Sequence, residues 1–166
     1  GRGGGGGVIN RITKGALVGQ DVGAATASVD SFGSSYGAVD LNGALGAATA
    51  VRLNGFYEGL DSHRDFYSGR RFGLNPVIAH KIAERVRLQF GYEYVRDDRV
   101  VDRGLPSATS APAGTIVGPL MGFRDSFFGS RDVNRSFFNG HAVRFRGEAD
   151  LSSQIMVSAQ AVYGDY

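Results

Sequence analysis

Four groups of residues in this 166-residue chain have types and spacings that chemistry could use. The first is the opening stretch, GRGGGGGVINRITKGA, in which Gly1, Gly3 and Gly6 satisfy the G-x-G-x-x-G pattern of a phosphate-binding loop. That loop works only between a strand and a helix, because the helix N-terminus holds the phosphate. Here the β-branched run VINRITKG follows, which is strand composition, and no G-K-[ST] completes a Walker loop. A flexible linker would also be Gly-rich, but it leaves the attached strand unexplained. The second group is His63, His80 and His141, whose separation lacks metal-ligand spacing, so no metal site is expected. The third is Glu93 with Asp97 and Asp98, which could be paired carboxylates for acid–base work. Beside Arg96 and Arg99 they read more simply as an ion-pair network at a strand end. The fourth is the stretch 98–140. It carries Arg99, Arg103, Arg124, Arg131 and Arg135 together with Phe123, Phe127, Phe128, Phe137 and Phe138. Arginine there can meet an anionic ligand, and the rings can stack on it or cover its apolar parts. The competing expectation is structural. Asp102–Arg103, Arg124–Asp125 and Arg131–Asp132 would fold the stretch on itself, with Phe pairs as its small core. No nucleophile–base set can be assembled, so no enzyme is expected.

Composition narrows the scaffold that must position these groups. The chain has 26 Gly, 11 Phe and 7 Tyr, with no Cys and no Trp. Without Cys there is neither a disulfide framework nor a thiolate metal site. Of 18 basic residues only Lys14 and Lys81 are lysines, and the formal net charge is +2. Arginine is favoured where planar, two-pronged contact with carboxylates matters, so Arg–Asp pairing is expected rather than a nucleic-acid footprint. No apolar run approaches the ~18–20 residues of a membrane helix, which leaves membrane β-barrels open.

The chain reads as strands almost throughout. In VRLQFGYEYVRDD, Leu88, Phe90 and Tyr92 alternate with Arg87, Gln89 and Glu93. In TAVRLNGFYEGLD, Val51, Leu53 and Tyr57 oppose Arg52, Asn54 and Glu58. In HAVRFRGEADLS, Val143 and Phe145 oppose Arg144, Arg146 and Glu148, and Val157 marks the apolar side of the last run. Seven strands are expected, at about 22–33, 36–44, 49–61, 70–82, 86–97, 141–151 and 155–166. Connections near 45–48, 83–85 and 152–154 are short. Those at the opposite ends are a tight turn at Ser34–Ser35, a loop at 62–69 and the stretch 98–140.

Alternation alone does not separate a membrane barrel from a soluble sandwich or lipocalin-like barrel. Three features favour the membrane: long strands, a charge-dense polar face, and Tyr57, Tyr92, Tyr94 and Tyr163 near strand ends as an aromatic girdle requires. Val51, Leu53, Tyr57, Leu88, Phe90, Tyr92, Val143, Phe145 and Val157 are then expected to face lipid. Arg52, Asn54, Glu58, Arg87, Gln89, Glu93, Arg144, Arg146 and Glu148 are expected to face the lumen. Seven strands with open edges cannot sit in lipid, so the barrel must be larger than this chain.

The opening stretch then gains a meaning. Gly1 to Lys14 resembles the end of the plug domain in TonB-dependent siderophore receptors, G-R-G-x-x-G-G-V/L-I/V-N-x-x-T/S-K, just before barrel strand one. RLNGFYEGLDSHRD (Arg52 to Asp65) resembles that family's third strand and following loop. Arg70 to Ser107 resembles its strand–turn–strand and the D-R-G-I/L-P-S entry into the third outer loop, and VYGDY matches near the end. The resemblance implies an all-β fold, part of a transmembrane barrel of about 22 antiparallel strands with an internal plug, of which about fifteen strands lie outside this chain. Residues 1–18 would be the end of the plug, with a strand Val8–Lys14, and 19–166 the first part of the barrel. It also implies uptake of a ferric siderophore, energised by the TonB complex through a plug region not present here. No cofactor is implied. A passive porin would share the barrel without the plug strand. Receptors for cobalamin or glycans would share both.

Overall fold

The computed structural model describes residues 13–107 and 118–166. The opening glycines and most of the expected strand Val8–Lys14 lie outside the described residues. The rest is all-β: β1 (Val22–Val29), β2 (Ser35–Ala44), β3 (Thr49–Asp61), β4 (Ser68–Ala83), β5 (Val86–Val100), β6 (Arg135–Asp150) and β7 (Met156–Asp165). They form one antiparallel sheet in chain order, each strand bonded to the next. Up-and-down order needs only hairpins, so no crossover is present.

Local chemistry sets the turns. The Asp30 carboxylate accepts the N–H groups of Phe32 (2.9 Å) and Ser34 (3.0 Å), and Gly33 supplies the positive φ of 98° that the reversal requires. β1 therefore stops at Val29 rather than running to 33, and the turn occupies 30–34 rather than Ser34–Ser35. At the other end of the sheet, Ser152 Oγ accepts the N–H of Gln154 (3.2 Å) and of Ile155 (3.1 Å).

The largest departure from the expected boundaries is in β5 and β6. Pairing continues through Asp97↔Phe138, Asp98↔Phe137, Arg99↔Ser136 and Val100↔Arg135. The expected stretch 98–140 thus shrinks to the connection 101–134, and Arg99, Arg135, Phe137 and Phe138 belong to strands. Four consecutive charged residues, Arg96–Arg99, hide the two-residue period. Asp98 is held in the ladder by Arg135 across the strand gap, at 2.6 Å.

The register assigns every strand residue to a face. Residues 13–18 lie against one of them, here the inner face. There Ala16 packs with Ala50, Val77 and Ala79 and is flanked by Val18. The small side chains let the chain approach the sheet closely. On the outer face, Leu53, Phe90 and Phe145 sit on middle strands yet stay 37%, 49% and 45% exposed. A sheet in water would cover such a face.

Gly73 tests the inner packing. It lies opposite Phe56, and a β-carbon there would run into the Phe56 ring. Gly37, on the outer face opposite Tyr57, has open space where its β-carbon would stand. Gly73→Val is expected to cost about 1–3 kcal/mol through overpacking. Gly37→Val should stay within about 0.5 kcal/mol of the parent. Urea titration in lipid bilayers measures both.

Candidate functional site: a polar clamp, an ion-pair ladder and a loop cluster

The inner face holds the chain entering β1 by a polar clamp. Parity along β2 turns both Asp40 and Asn42 inward, opposite Asn54 and Arg52 of β3. The Arg52 guanidinium donates from Nε to Asp40 Oδ1 (2.7 Å) and from Nη2 to Asp40 Oδ2 (2.8 Å). Its Nη1 donates to the Gly15 carbonyl at 2.9 Å, and Lys14 Nζ reaches Asp40 Oδ2 at 2.7 Å. Asn42 accepts the Leu17 N–H at 2.9 Å and donates to the carbonyls of Leu17 (3.0 Å) and Gln20 (2.6 Å). Gly15 lies so close to Gln89 that any side chain there would collide with it. Arg52, Asn54 and Gln89 are legible in the sequence alternation, whereas Asp40, Asn42 and Lys14 are not legible there as a unit. The signal for them was weak: D-x-N on the polar side of a Gly- and Ala-rich strand.

Further along the same face the polar residues pair across strands. Glu58, Arg71 and Asp97 lie directly opposite one another in β3, β4 and β5. Arg71 bridges Glu58 (2.9 Å) and Asp97 (3.2 Å), and Arg99 adds to Asp97 at 2.8 Å. Glu93 meets Arg144 at 2.7 Å. Glu148 takes Arg146 (2.6 Å) and Arg87 (3.4 Å), with Gln89 opposite Arg146. Parity separates the expected carboxylate group. Glu93 and Asp97 point inward to different arginines, and Asp98 points outward to Arg135. Arg96 joins no ion pair among the described residues; it lies over the Phe137 ring at 5.1 Å. Val51, Leu53, Tyr57, Leu88, Phe90, Tyr92, Val143, Phe145 and Val157 all fall on the outer face.

The connections 30–34, 62–67 and 101–134 meet at one end of the sheet. Ser34 Oγ donates to the Asp61 carbonyl at 2.8 Å, and Phe32 lies 5.8 Å from the His63 ring. Arg64 is the hub. Its guanidinium pairs with Asp102 and donates to the Arg124 carbonyl at 2.9 Å. The Asp65 N–H donates to the Asp125 carbonyl at 2.7 Å. Phe66 packs edge-on to Phe127 and carries the Arg131 guanidinium over its ring at 5.3 Å. Phe123 and Phe128 pair edge-on at 5.9 Å. Phe123, Phe127, Phe128, Arg124 and Arg131 are therefore gathered in the cluster. Arg103 is exposed beside it, Arg99 belongs to the ladder, and Phe137 and Phe138 fall on opposite sheet faces. The tethers run between loops rather than between the sequence neighbours expected, because an adjacent Asp and Arg diverge while Arg64 can span the gap. No group of metal-binding side chains occurs among the described residues.

Burial pushes the Asp102 carboxyl up, but the Gly104 N–H and the Arg64 guanidinium, with His63 beyond them, hold it below its usual value. A lowered folded pKa means the tether persists at neutral pH and is lost only as pH falls through that value. Hydrogen exchange at the Asp65 and Val101 amides should rise at pH below about 3.9, the ordinary carboxylate value. Asp102→Asn should raise it already at pH 7. Separately, Asn42→Ala removes three hydrogen bonds from residues 17–20 and is expected to cost about 1–3 kcal/mol in unfolding experiments.

No protein-family model matches the chain. Among known proteins it is 36% identical over 140 residues to the catecholate siderophore receptor Fiu of Escherichia coli O157:H7, covering 79% of this chain and 18% of that protein. It is 30% identical over 172 residues to the probable TonB-dependent receptor BfrD of Bordetella pertussis, covering 98% of this chain and 22% of that one. The crystal structure of the ferric-catecholate import receptor Fiu from E. coli K12 superposes with a TM-score of 0.78 at 26% identity, over 95% of this chain and 23% of that chain. The siderophore receptor PiuA from Acinetobacter baumannii shares the fold, with a TM-score of 0.74 at 20% identity, over 92% of this chain and 22% of that one. The chain thus spans about a fifth of the length of the relatives it matches. Seven hairpin-ordered strands with an uncovered apolar face, matched in sequence and in space to a run of these barrels, make the chain similar to part of the β-barrel of TonB-dependent receptors of the bacterial outer membrane.

Proposed function

We propose that this chain is the wall segment, with the adjoining end of the plug, of a receptor that takes up ferric catecholate siderophores with energy from TonB. The similarity to Fiu in both sequence and structure carries this reading. The loop cluster fits it chemically. A ferric catecholate is anionic and aromatic, and the cluster offers Arg103, Arg124 and Arg131 beside Phe123, Phe127 and Phe128. Such uptake is binding and passage without covalent chemistry.

In this reading residues 1–18 are the end of the plug and 19–166 are wall. The inner face is the lumen. The clamp on residues 14–20 supports this, because a plug must be joined to its barrel where the chain crosses from one to the other. The outer face meets lipid, and its uncovered Phe90 and Phe145 support that. Receptors for cobalamin or glycans remain the alternatives within the family, and a porin the alternative outside it. No observation favours them.

Three experiments on the full-length receptor test the reading. With iron-limited cells lacking other receptors, radio-iron should enter on a catecholate chelate and not on a hydroxamate one. The reverse preference, or no uptake, would sink the assignment. Arg124→Gln/Arg131→Gln should raise the apparent Kd roughly tenfold or more, since hydrogen bonds to charged groups contribute about 1.5–3 kcal/mol. For the facing, Phe90→Arg near the midplane should cost roughly 2–4 kcal/mol in bilayers and Gln89→Arg much less. Equal costs would reject it.

A further inference from the structure

The outer face changes character towards the loop end. Its middle carries Leu53, Phe90 and Phe145. Next comes an aromatic level, where Tyr57 lies opposite Phe72 and Phe72 packs edge-on to Tyr94 at 5.3 Å. Arg96 of β5 lies opposite Phe72 on that level, and two more guanidinium groups follow on the adjacent strands: Arg70 of β4, opposite Asp98 and two residues further along, and Arg135 of β6, opposite Val100 and two residues further again. Arg96 stands two residues past Tyr94, about 7 Å further along the strand. At the turn end the same face carries Gly43, Thr49, His80, Val86 and Ala149 instead. The basic level is therefore on one side of the apolar belt only.

These arginines are incompletely satisfied. The acid nearest Arg70 and Arg96, Asp98, is committed to Arg135 at 2.6 Å. Among the described residues neither Arg96, which lies over the Phe137 ring, nor Arg70 makes an ion pair. Both are exposed and open onto a cavity of about 250 Å³ lined by Tyr57, Arg70, Phe72, Arg96 and Asp98. Arg70 and Asp98 are shared with a second cavity of about 530 Å³ that reaches Arg135. Together the two cavities are lined by five arginines, Arg70, Arg96, Arg99, Arg131 and Arg135, against two carboxylates, Asp98 and Asp132, which leaves an excess of positive charge at a concave spot floored by aromatic rings.

We propose that this rim is a binding site for the phosphomonoester headgroup of a lipid on the loop side of the membrane. It rests on the reading that the outer face meets lipid. Aromatic rings mark the level where acyl chains give way to headgroups, so the next level outward meets the headgroups themselves. Guanidinium forks match phosphate oxygens two at a time. The surplus positive charge selects a headgroup that is net anionic over a zwitterionic one. Arg70 and Arg96 grip the phosphate, while Arg135 offsets Asp98 so that the acid does not repel it.

The test uses the full-length receptor in uncharged detergent, titrated with dioleoyl phosphatidic acid or dioleoyl phosphatidylcholine and read by native mass spectrometry. The receptor should bind phosphatidic acid at least about tenfold more tightly than phosphatidylcholine, given roughly fivefold per interfacial arginine. Arg70→Gln/Arg96→Gln/Arg135→Gln should abolish that preference. If that variant does not fold, Arg96→Gln alone should reduce it about threefold or more. Arg85→Gln, in the turn at the opposite end, should leave it unchanged. No preference in the parent, an unchanged preference in the Arg96 and triple variants, or an equal loss in Arg85→Gln overturns the proposal. Displacement by an equal concentration of inorganic phosphate overturns the lipid source in favour of a free anion. A nitroxide on Phe90→Cys, relaxed by lipid-soluble oxygen, separates the two claims. If it is not relaxed, the facing itself has failed. If it is relaxed and the arginine variants change nothing, the headgroup site alone has failed.

Discussion

A strand turns successive side chains to opposite faces, and in this chain that parity is carried through six consecutive antiparallel pairings. Almost everything else follows from it. A slip of one residue at β3–β4 would move Arg71 to the face of Phe90 and Ile78 to the face of Asn54. It would also unmake the row Glu58–Arg71–Asp97, which exists because those three residues occupy one rung. Opposite charges placed on one rung and apolar residues on the next specify the register from both faces at once.

The inner face does two physical jobs. At the loop end its charges neutralise each other, so that a polar surface can be crowded without unpaired charge: Arg71 with Glu58 and Asp97, and Arg144 with Glu93. At the turn end it holds a non-strand segment. Ala50, Val77 and Ala79 leave room for Ala16, while Asp40, Asn42 and Arg52 satisfy backbone and side-chain groups of residues 14–20 that have no sheet partner. A buried irregular backbone must find such partners or lose stability. The clamp thus ties the chain to β2 and β3 before it enters β1, which is where a plug and its wall would have to be joined.

The loop end is organised differently. Arg64 and Phe66, from the short connection, anchor Asp102, Arg124, Phe127 and Arg131 of the long one. A long loop loses much conformational freedom when it folds, and contacts concentrated on one neighbouring loop offset that loss with few residues. The cluster is held by a neighbour rather than by itself, so it presents arginine and aromatic groups without having a core of its own.

The sequence by itself determined the class, the number and sidedness of the strands, and the alternation of short and long connections. All of these are written in a two-residue period and in turn residues a few positions apart. It also carries the resemblance to TonB-dependent receptors, through ordered motifs such as RLNGFYEGLDSHRD and RVVDRGLPS. Only the tertiary structure decided which charges meet. Asp102 pairs with Arg64 rather than Arg103, and Asp98 with Arg135 rather than Arg96 or Arg99. It moved Phe137 and Phe138 from loop to strand, and it made a unit of Lys14, Asp40, Asn42 and Arg52. The physical reason is range. Parity and turn chemistry act between near neighbours, whereas an ion pair joins residues dozens of positions apart once pairing has brought their strands side by side.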